Sequence, residues 1–190
     1  MTTELVYSYL ERITNLLRAD ARRAESGGGL IPVQLEVLHY LAICNRYSNT
    51  PAAVAEYLGL TKGTVSQTLR VLETRGYLEK IQDTKDRRVV HLHLSATGRD
   101  LVATALPPES LKQGIRLLSA ESLQQLSQSL REVLQAMQKA NRMRSFGVCG
   151  TCRHHILLAE DRQHARCNLT GELLSAEDAR HICREHDNPP

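Results

Sequence analysis

The sequence predicts a mainly α fold with a single β-hairpin set among its helices, and three observations predict it. Apolar residues recur every three to four positions over most of residues 3–142, the spacing of amphipathic helices. That spacing changes to a period of two once, between Leu78 and Leu94, as a half-buried hairpin requires. Aromatic residues make up 4% of the chain, with no Trp and Phe146 as the only Phe, a composition poor in strand formers and suited to Leu- and Ala-rich helices. At 190 residues the chain fits one hydrophobic core with a small appendage.

The elements follow in order. Residues 3–24 read as a helix with Leu5, Tyr9, Ile13, Leu16 and Leu17 on one face, broken at Ser26-Gly27-Gly28-Gly29. Pro32 suits the first turn of a second helix carrying Val33, Val37, Leu38, Leu41 and Ile43, because proline has no N–H for that turn to leave unpaired. Asn49-Thr50-Pro51 starts a short third helix with Val54, Ala55 and Leu58, closed by Gly59. Thr61 caps a fourth, whose core positions are Val65, Leu69 and Leu72 and which ends at Gly76. Leu78, Lys80 and Ile81 form one strand; Val90, Leu92 and Leu94 form the other, with His91 and His93 facing outward. Asp83-Thr84-Lys85-Asp86-Arg87-Arg88 is the charged tip between them. Thr97-Gly98 leads into further helix, Pro107-Pro108 interrupts it, and residues 119–142 form a long helix capped by Ser119. On that helix Leu123, Leu126, Leu130, Val133 and Met137 make a coiled-coil-like stripe.

Charge is unevenly spread. Residues 61–99 hold 8 Lys/Arg against 4 Asp/Glu, whereas residues 145–190 hold 5 against 7. A local basic surface suits a polyanion. No apolar run approaches the roughly 20 residues of a membrane span, and the start MTTELVYSYL lacks a signal-peptide layout, so a cytoplasmic, membrane-free location is expected.

A short helix, a turn at Gly59 and a second helix with a polar face describe a helix-turn-helix. In TKGTVSQTLRVLETRG (61–76), Val65, Leu69 and Leu72 face the core, which leaves Lys62, Thr64, Gln67, Thr68 and Arg70 outward and Ser66 near the boundary. Amides and hydroxyls of this kind reach base edges, and the cations suit phosphates. Thr61, at the positive end of the helix, can hold a phosphate while capping.

The stretch RVLETRGYLEKIQDTKDRRVVHLHLSATG (70–98) resembles the signature segment of the MarR family of winged-helix regulators, through Asp83-x-x-Asp86-Arg87-Arg88, then Leu92-x-Leu94-Ser95, then Gly98. Ser95 stands where the family usually has Thr. The helix order matches too, over about residues 1–144. The resemblance implies an α+β winged helix that binds double-stranded DNA, with the recognition helix at 61–75 in the major groove. The wing at 83–88 would bring Lys85 to the DNA and place Arg87 or Arg88 in the minor groove, with Asp86 pairing an Arg to hold the wing's shape. It implies a homodimer, with dimerisation elements at 1–30 and 101–144 flanking the DNA-binding domain at 31–100. A pseudo-palindromic operator and a small-molecule effector in the cleft between the dimer helices and the winged unit would follow.

Residues 145–190 depart from that pattern. Cys149-x-x-Cys152, then Cys167 and Cys183, make a cysteine-rich tail whose first pair has metal-knuckle spacing. Four thiolates suit tetrahedral zinc, and the same set can hold an iron–sulfur cluster. His154, His155, His164, His181 or His186 could replace one cysteine. Ser175-x-x-Asp178 reads as a capping box starting a short helix that delivers Cys183 from its last turn. Cys44, standing apart, reads as a small buried hydrophobe.

The sequence therefore points to a DNA-binding transcription regulator, a repressor in the first instance, with a four-cysteine zinc site. An iron–sulfur redox or metal sensor is the alternative, and a protein-interaction adaptor a further one. An enzyme is not expected, because four thiolates leave no open coordination position and no nucleophile–base pair stands out.

Overall fold

The computed structural model describes residues 2–158 and 164–189, and for residues 23–28 the backbone alone. Eight helices, one 3-10 turn and seven short strands make up the described residues. Helices α1 (Thr3–Gly28), α2 (Pro32–Ile43), α3 (Pro51–Leu58) and α4 (Lys62–Thr74) precede a hairpin of β1 (Leu78–Gln82) and β2 (Val90–Leu94). Helices α5 (Ala96–Ala105), α6 (Glu109–Arg116) and α7 (Ala120–Ala140) follow. The tail holds β3 (Gly147–Val148), β4 (His155–Leu157), β5 (Ala165–Cys167), β6 (Leu173–Leu174), α8 (Ala176–Arg180) and β7 (Ile182–Cys183).

Local chemistry sets most of these boundaries. The hydroxyls of Thr50, Thr61, Ser95, Ser119 and Ser175 each accept the backbone N–H three residues on, satisfying a donor the first helical turn leaves free. Gly59 ends α3 in the left-handed conformation, φ 64°. Helix α1 runs to Gly28, past the break expected at Ser26, and the left-handed turn falls at Gly29, φ 62°.

One core joins α2, α3, α4, the hairpin and α5. Val37, Leu38, Tyr40, Val54, Val65, Leu69, Leu72, Leu78 and Leu92 are sealed within it. The strands pair antiparallel from Leu78↔Leu94 to Gln82↔Val90. Asn49 supports their outer edge, its carbonyl accepting the N–H of Leu92 at 2.7 Å.

The tail docks on this same unit. Phe146 is buried against Tyr57 and Tyr40, with ring centroids 5.2 and 6.2 Å away. Beyond it the tail has a small core of its own, Cys149, Ala165 and Leu174, with Tyr47 of the winged unit packed against them.

Helices α1 and α7 lie outside both cores. Leu5, Tyr9, Ile13 and Leu16 on α1, and Leu126, Leu130, Val133 and Met137 on α7, are all exposed in the single chain. The accessible surface is 13236 Å², whereas a compact monomer of this mass exposes about 9,100 Å². The excess lies partly in these apolar stripes, which nothing in the single chain covers among the described residues.

Candidate nucleic-acid interface and cysteine cluster

The outer face of α4 carries Lys62, Ser66 and Arg70 at four-residue spacing, with Thr64 and Gln67 beside them, all exposed. Thr61 serves as the cap; its hydroxyl accepts the N–H of Thr64 at 3.1 Å and lies 2.9 Å from the Thr64 hydroxyl. Thr68, expected to face outward, is buried, and its hydroxyl donates to the carbonyl of Thr64 at 2.9 Å. A threonine can turn inward on a helix because that bond satisfies its only polar group. Val71, four residues beyond Gln67, is 40% exposed on the same surface. The sequence reading overlooked it because an apolar residue there looks like core, although its spacing from Gln67 was the available signal.

The wing is held by its two aspartates. The carboxylate of Asp83 accepts the backbone N–H groups of Lys85 and Asp86, both at 2.7 Å, and these bonds hold its pKa below the ordinary range. Arg88 donates to Asp86 through Nε at 3.0 Å and Nη2 at 2.9 Å, which lowers the pKa of the Asp86 carboxyl likewise. Arg88 is therefore the wing arginine that pairs with Asp86. The guanidinium of Arg87 contacts no acceptor among the described residues and stands exposed at the tip, while its backbone carbonyl accepts from Gln82. Lys85 points from the tip toward Glu172 of the tail, 3.7 Å away.

His91 is not the exposed outward residue expected from strand alternation. Its ring lies between Asn49 Oδ1, 2.6 Å from Nδ1, and Asp83 Oδ2, 3.2 Å from Nε2. It thus ties the wing to the residue that precedes the cap of α3. His93 is exposed.

The four tail cysteines line one cavity of about 40 Å³, together with His155. Burial, followed by the nearness of Cys183, Cys152 and Cys167, pushes the Cys149 thiol up to about 12. The Nε2 of His155 is buried without a hydrogen-bond partner. Among the described residues no three His, Cys, Asp or Glu side chains form a ready-made ion site. Cys183 lies in β7, beyond α8 rather than on its last turn, paired with Gly147. His186 sits between the Ser145 and Thr151 hydroxyls at 2.9 and 3.1 Å.

A second cavity, of about 1090 Å³, lies between α1, α2, α5 and α6, with Leu17, Leu35, Val102 and Leu106 among its apolar walls and Arg18 and His39 among its polar ones. No helix among the described residues is long and apolar enough to cross a membrane.

Residues 28–89 match the model of the MarR family. Over 90 residues, 46% of this chain, the sequence is 31% identical to the transcriptional repressor MprA of Escherichia coli (strain K12). The chain spans about half the length of that protein, 51%. It is 29% identical over 116 residues to the uncharacterized HTH-type transcriptional regulator YkoM of Bacillus subtilis (strain 168), covering 54% of this chain and 72% of that one. Among solved structures it is similar to the S. aureus MepR–DNA complex, at 28% identity and a TM-score of 0.56, over 68% of this chain and 97% of that one. It is also similar to Streptococcus pneumoniae FabT in complex with DNA, at 25% identity and a TM-score of 0.59, over 73% and 99%. The fold is thus the α+β winged helix of the MarR type.

Proposed function

We propose that this chain, a MarR-type winged-helix protein over residues 28–89, is a homodimeric transcription regulator, acting as a repressor, that binds a pseudo-palindromic DNA operator. One observation carries the reading. The polar face of α4 stands bare beside a wing in which Asp86 fixes Arg88, while Arg87 meets no acceptor among the described residues. In the complex α4 enters the major groove, with Ser66, Gln67 and Arg70 toward base edges and Lys62 and Thr64 toward phosphates; Thr61 presents the helix N-terminus. Arg87 enters the minor groove, where narrow A·T-rich stretches attract a guanidinium, and Lys85 meets the backbone. The exposed stripes of α1 and α7 cover one another across a two-fold axis, which sets two recognition helices about 34 Å apart.

The apolar cavity between α1, α2, α5 and α6 suits a small-molecule effector. The four tail cysteines suit zinc, with His155 as the alternative donor; an iron–sulfur cluster is the other cofactor this ligand set can take.

The test is selection of bound fragments from random duplex DNA, followed by titration of the recovered site. Wild type should select an inverted repeat and lose affinity steeply as salt rises. Arg87→Ala should weaken binding about 5- to 100-fold without moving the melting temperature. Arg88→Ala should weaken it less and disturb the exchange of wing amides. Recovery of no preferred site, or equal binding by Arg87→Ala, refutes the reading.

A further inference from the structure

We infer that the cysteine cluster, once it holds a thiolate-preferring divalent ion, acts on the DNA-binding unit of its own chain through residues Ile182–Arg184, so that ion occupancy sets DNA affinity. This rests on the reading of the chain as a DNA-binding regulator with a metal-binding tail.

Cys183 lies between two anchors. On one side, the carbonyl of Ile182 accepts the N–H of Asn45 at 2.9 Å, and Ile182 bridges Cys44 in parallel. On the other, the N–H of Arg184 donates to the hydroxyl of fully buried Ser48 at 2.8 Å. The Arg184 guanidinium also grips both carboxylate oxygens of Glu56, at 2.7 and 2.6 Å. Residues 44–50 are the turn that feeds α3, and Glu56 lies on α3 itself. A ligand cysteine is thus flanked on both sides by residues bonded to the first helix of the helix-turn-helix and its entry.

The path continues to the DNA face. Asn49, at the end of that turn, supports β2 through its carbonyl and the wing through His91. A second contact runs directly from the tail to the wing, where Glu172 accepts from Tyr47 at 3.0 Å and pairs with Lys85. On the other side of the cluster, the N–H of Cys149 donates to the carbonyl of His181, which ties the first knuckle cysteine to the strap formed by residues 181–184.

Coordination geometry makes this arrangement responsive. Tetrahedral zinc demands sulfurs about 2.3 Å from one point, and the four tail cysteines line one common cavity. An ion held there fixes Cys183, and with it the backbone of Ile182 and Arg184 that bonds the winged unit. His155, whose Nε2 has no hydrogen-bond partner among the described residues, lines the same cavity, a fifth donor that can complete the set or orient a thiolate. Ordering the strap orders the turn and α3, and so favours the conformation that binds DNA.

The experiment uses the full-length dimer stripped with a chelator and titrated with zinc alone. Metal per chain, affinity for the selected operator and hydrogen exchange of residues 44–58 are measured together. Zinc should bind at about one per chain, tighten operator binding about tenfold, within the usual span of allosteric coupling, and slow exchange over residues 44–58. Arg184→Ala should still bind zinc and DNA, but its affinity should change less than about twofold on loading. Glu56→Gln, which weakens the same grip from α3 while preserving volume, should do likewise, and serves if the first variant folds poorly. Zinc binding that leaves both operator affinity and exchange unchanged overturns the proposal. So does failure to bind zinc, or an undiminished zinc response in both variants. If no state binds DNA, the regulator reading falls instead; slowed exchange at 44–58 would then still support the clasp, and unchanged exchange would remove it.

Discussion

Replacing Gly98 by Ala should destabilise the protein far more than an exposed helical glycine-to-alanine change ordinarily does. A Cβ at residue 98 would lie 2.1 Å from the carbonyl oxygen of Tyr77 and 3.4 Å from a Leu94 methyl. Relief requires the start of α5 to withdraw by more than about 1 Å, judged against an ordinary contact of about 3.4–4 Å. That end of the helix is pinned where the clash falls: the N–H of Ser95 donates to Tyr77 O at 3.1 Å, and its hydroxyl donates to Gly76 O at 2.6 Å. Overpacking of this kind costs about 1–3 kcal/mol, and two strained hydrogen bonds add about 1 kcal/mol each. The helix preference of Ala over Gly returns about 1 kcal/mol. The net loss is about 2–4 kcal/mol, a fall in melting temperature of about 5–15 °C for a chain of this size. Thermal melts at fixed protein concentration measure it. Gly114→Ala on α6 is the control, because nothing lies within 4 Å of its Cβ, and it should melt at or slightly above wild type. If Gly98→Ala behaves like the control, the packing of α5 on the hairpin has been misjudged.

Three further outcomes are expected. Leu130→Glu, on the exposed stripe of α7, should weaken dimerisation at least about 100-fold, since the two-fold axis buries the charge twice; light scattering across a dilution series reads it. Cys44 is buried, and that burial pushes its thiol up to about 12, so an alkylating agent at about pH 8 should leave it unlabelled in the folded protein. Arg184 holds the Glu56 carboxyl below its ordinary value of about 4.5. The stability this pair contributes is present in full above that value and lost as pH falls through the lower, folded one. Stability curves of wild type and Arg184→Ala should therefore converge in acid; a constant gap from about pH 7 to about pH 3 would contradict it.

Features set by neighbours in sequence were the ones the sequence disclosed. Thr61, Ser119 and Ser175 cap as read, because a cap joins residues three apart; Thr50, inside the expected start signal, and Ser95, not read as a cap, do the same. Ser95 replaces the usual Thr without loss, since the hydroxyl alone performs the capping. Three consecutive glycines offered several places to stop α1, and the left-handed turn falls at the last of them, Gly29. The face of α4 was legible except at Thr68 and Val71, where residue type and burial part company. His91 departs from the alternation because Asn49, outside the hairpin, bonds both the backbone of Leu92 and the His91 ring. Least legible was the seat of the tail: Tyr47 meets Glu172, and Arg184 meets Glu56, across more than a hundred residues, and no local pattern encodes such pairings.

Phe146 closes the aromatic group of Tyr40 and Tyr57, and that has a consequence in time. A ribosome that has finished β2 has supplied the helix-turn-helix and both strands of the wing, yet not the ring that seals them. At about 5–20 residues per second, roughly 3–10 s of synthesis separate the two. Through that interval the face of Tyr57 that Phe146 covers stands open, a sticky spot that the chain's own distal end must cover. A chain stopped at residue 144 should keep that spot for good and bind a hydrophobic dye there, whatever its metal supply.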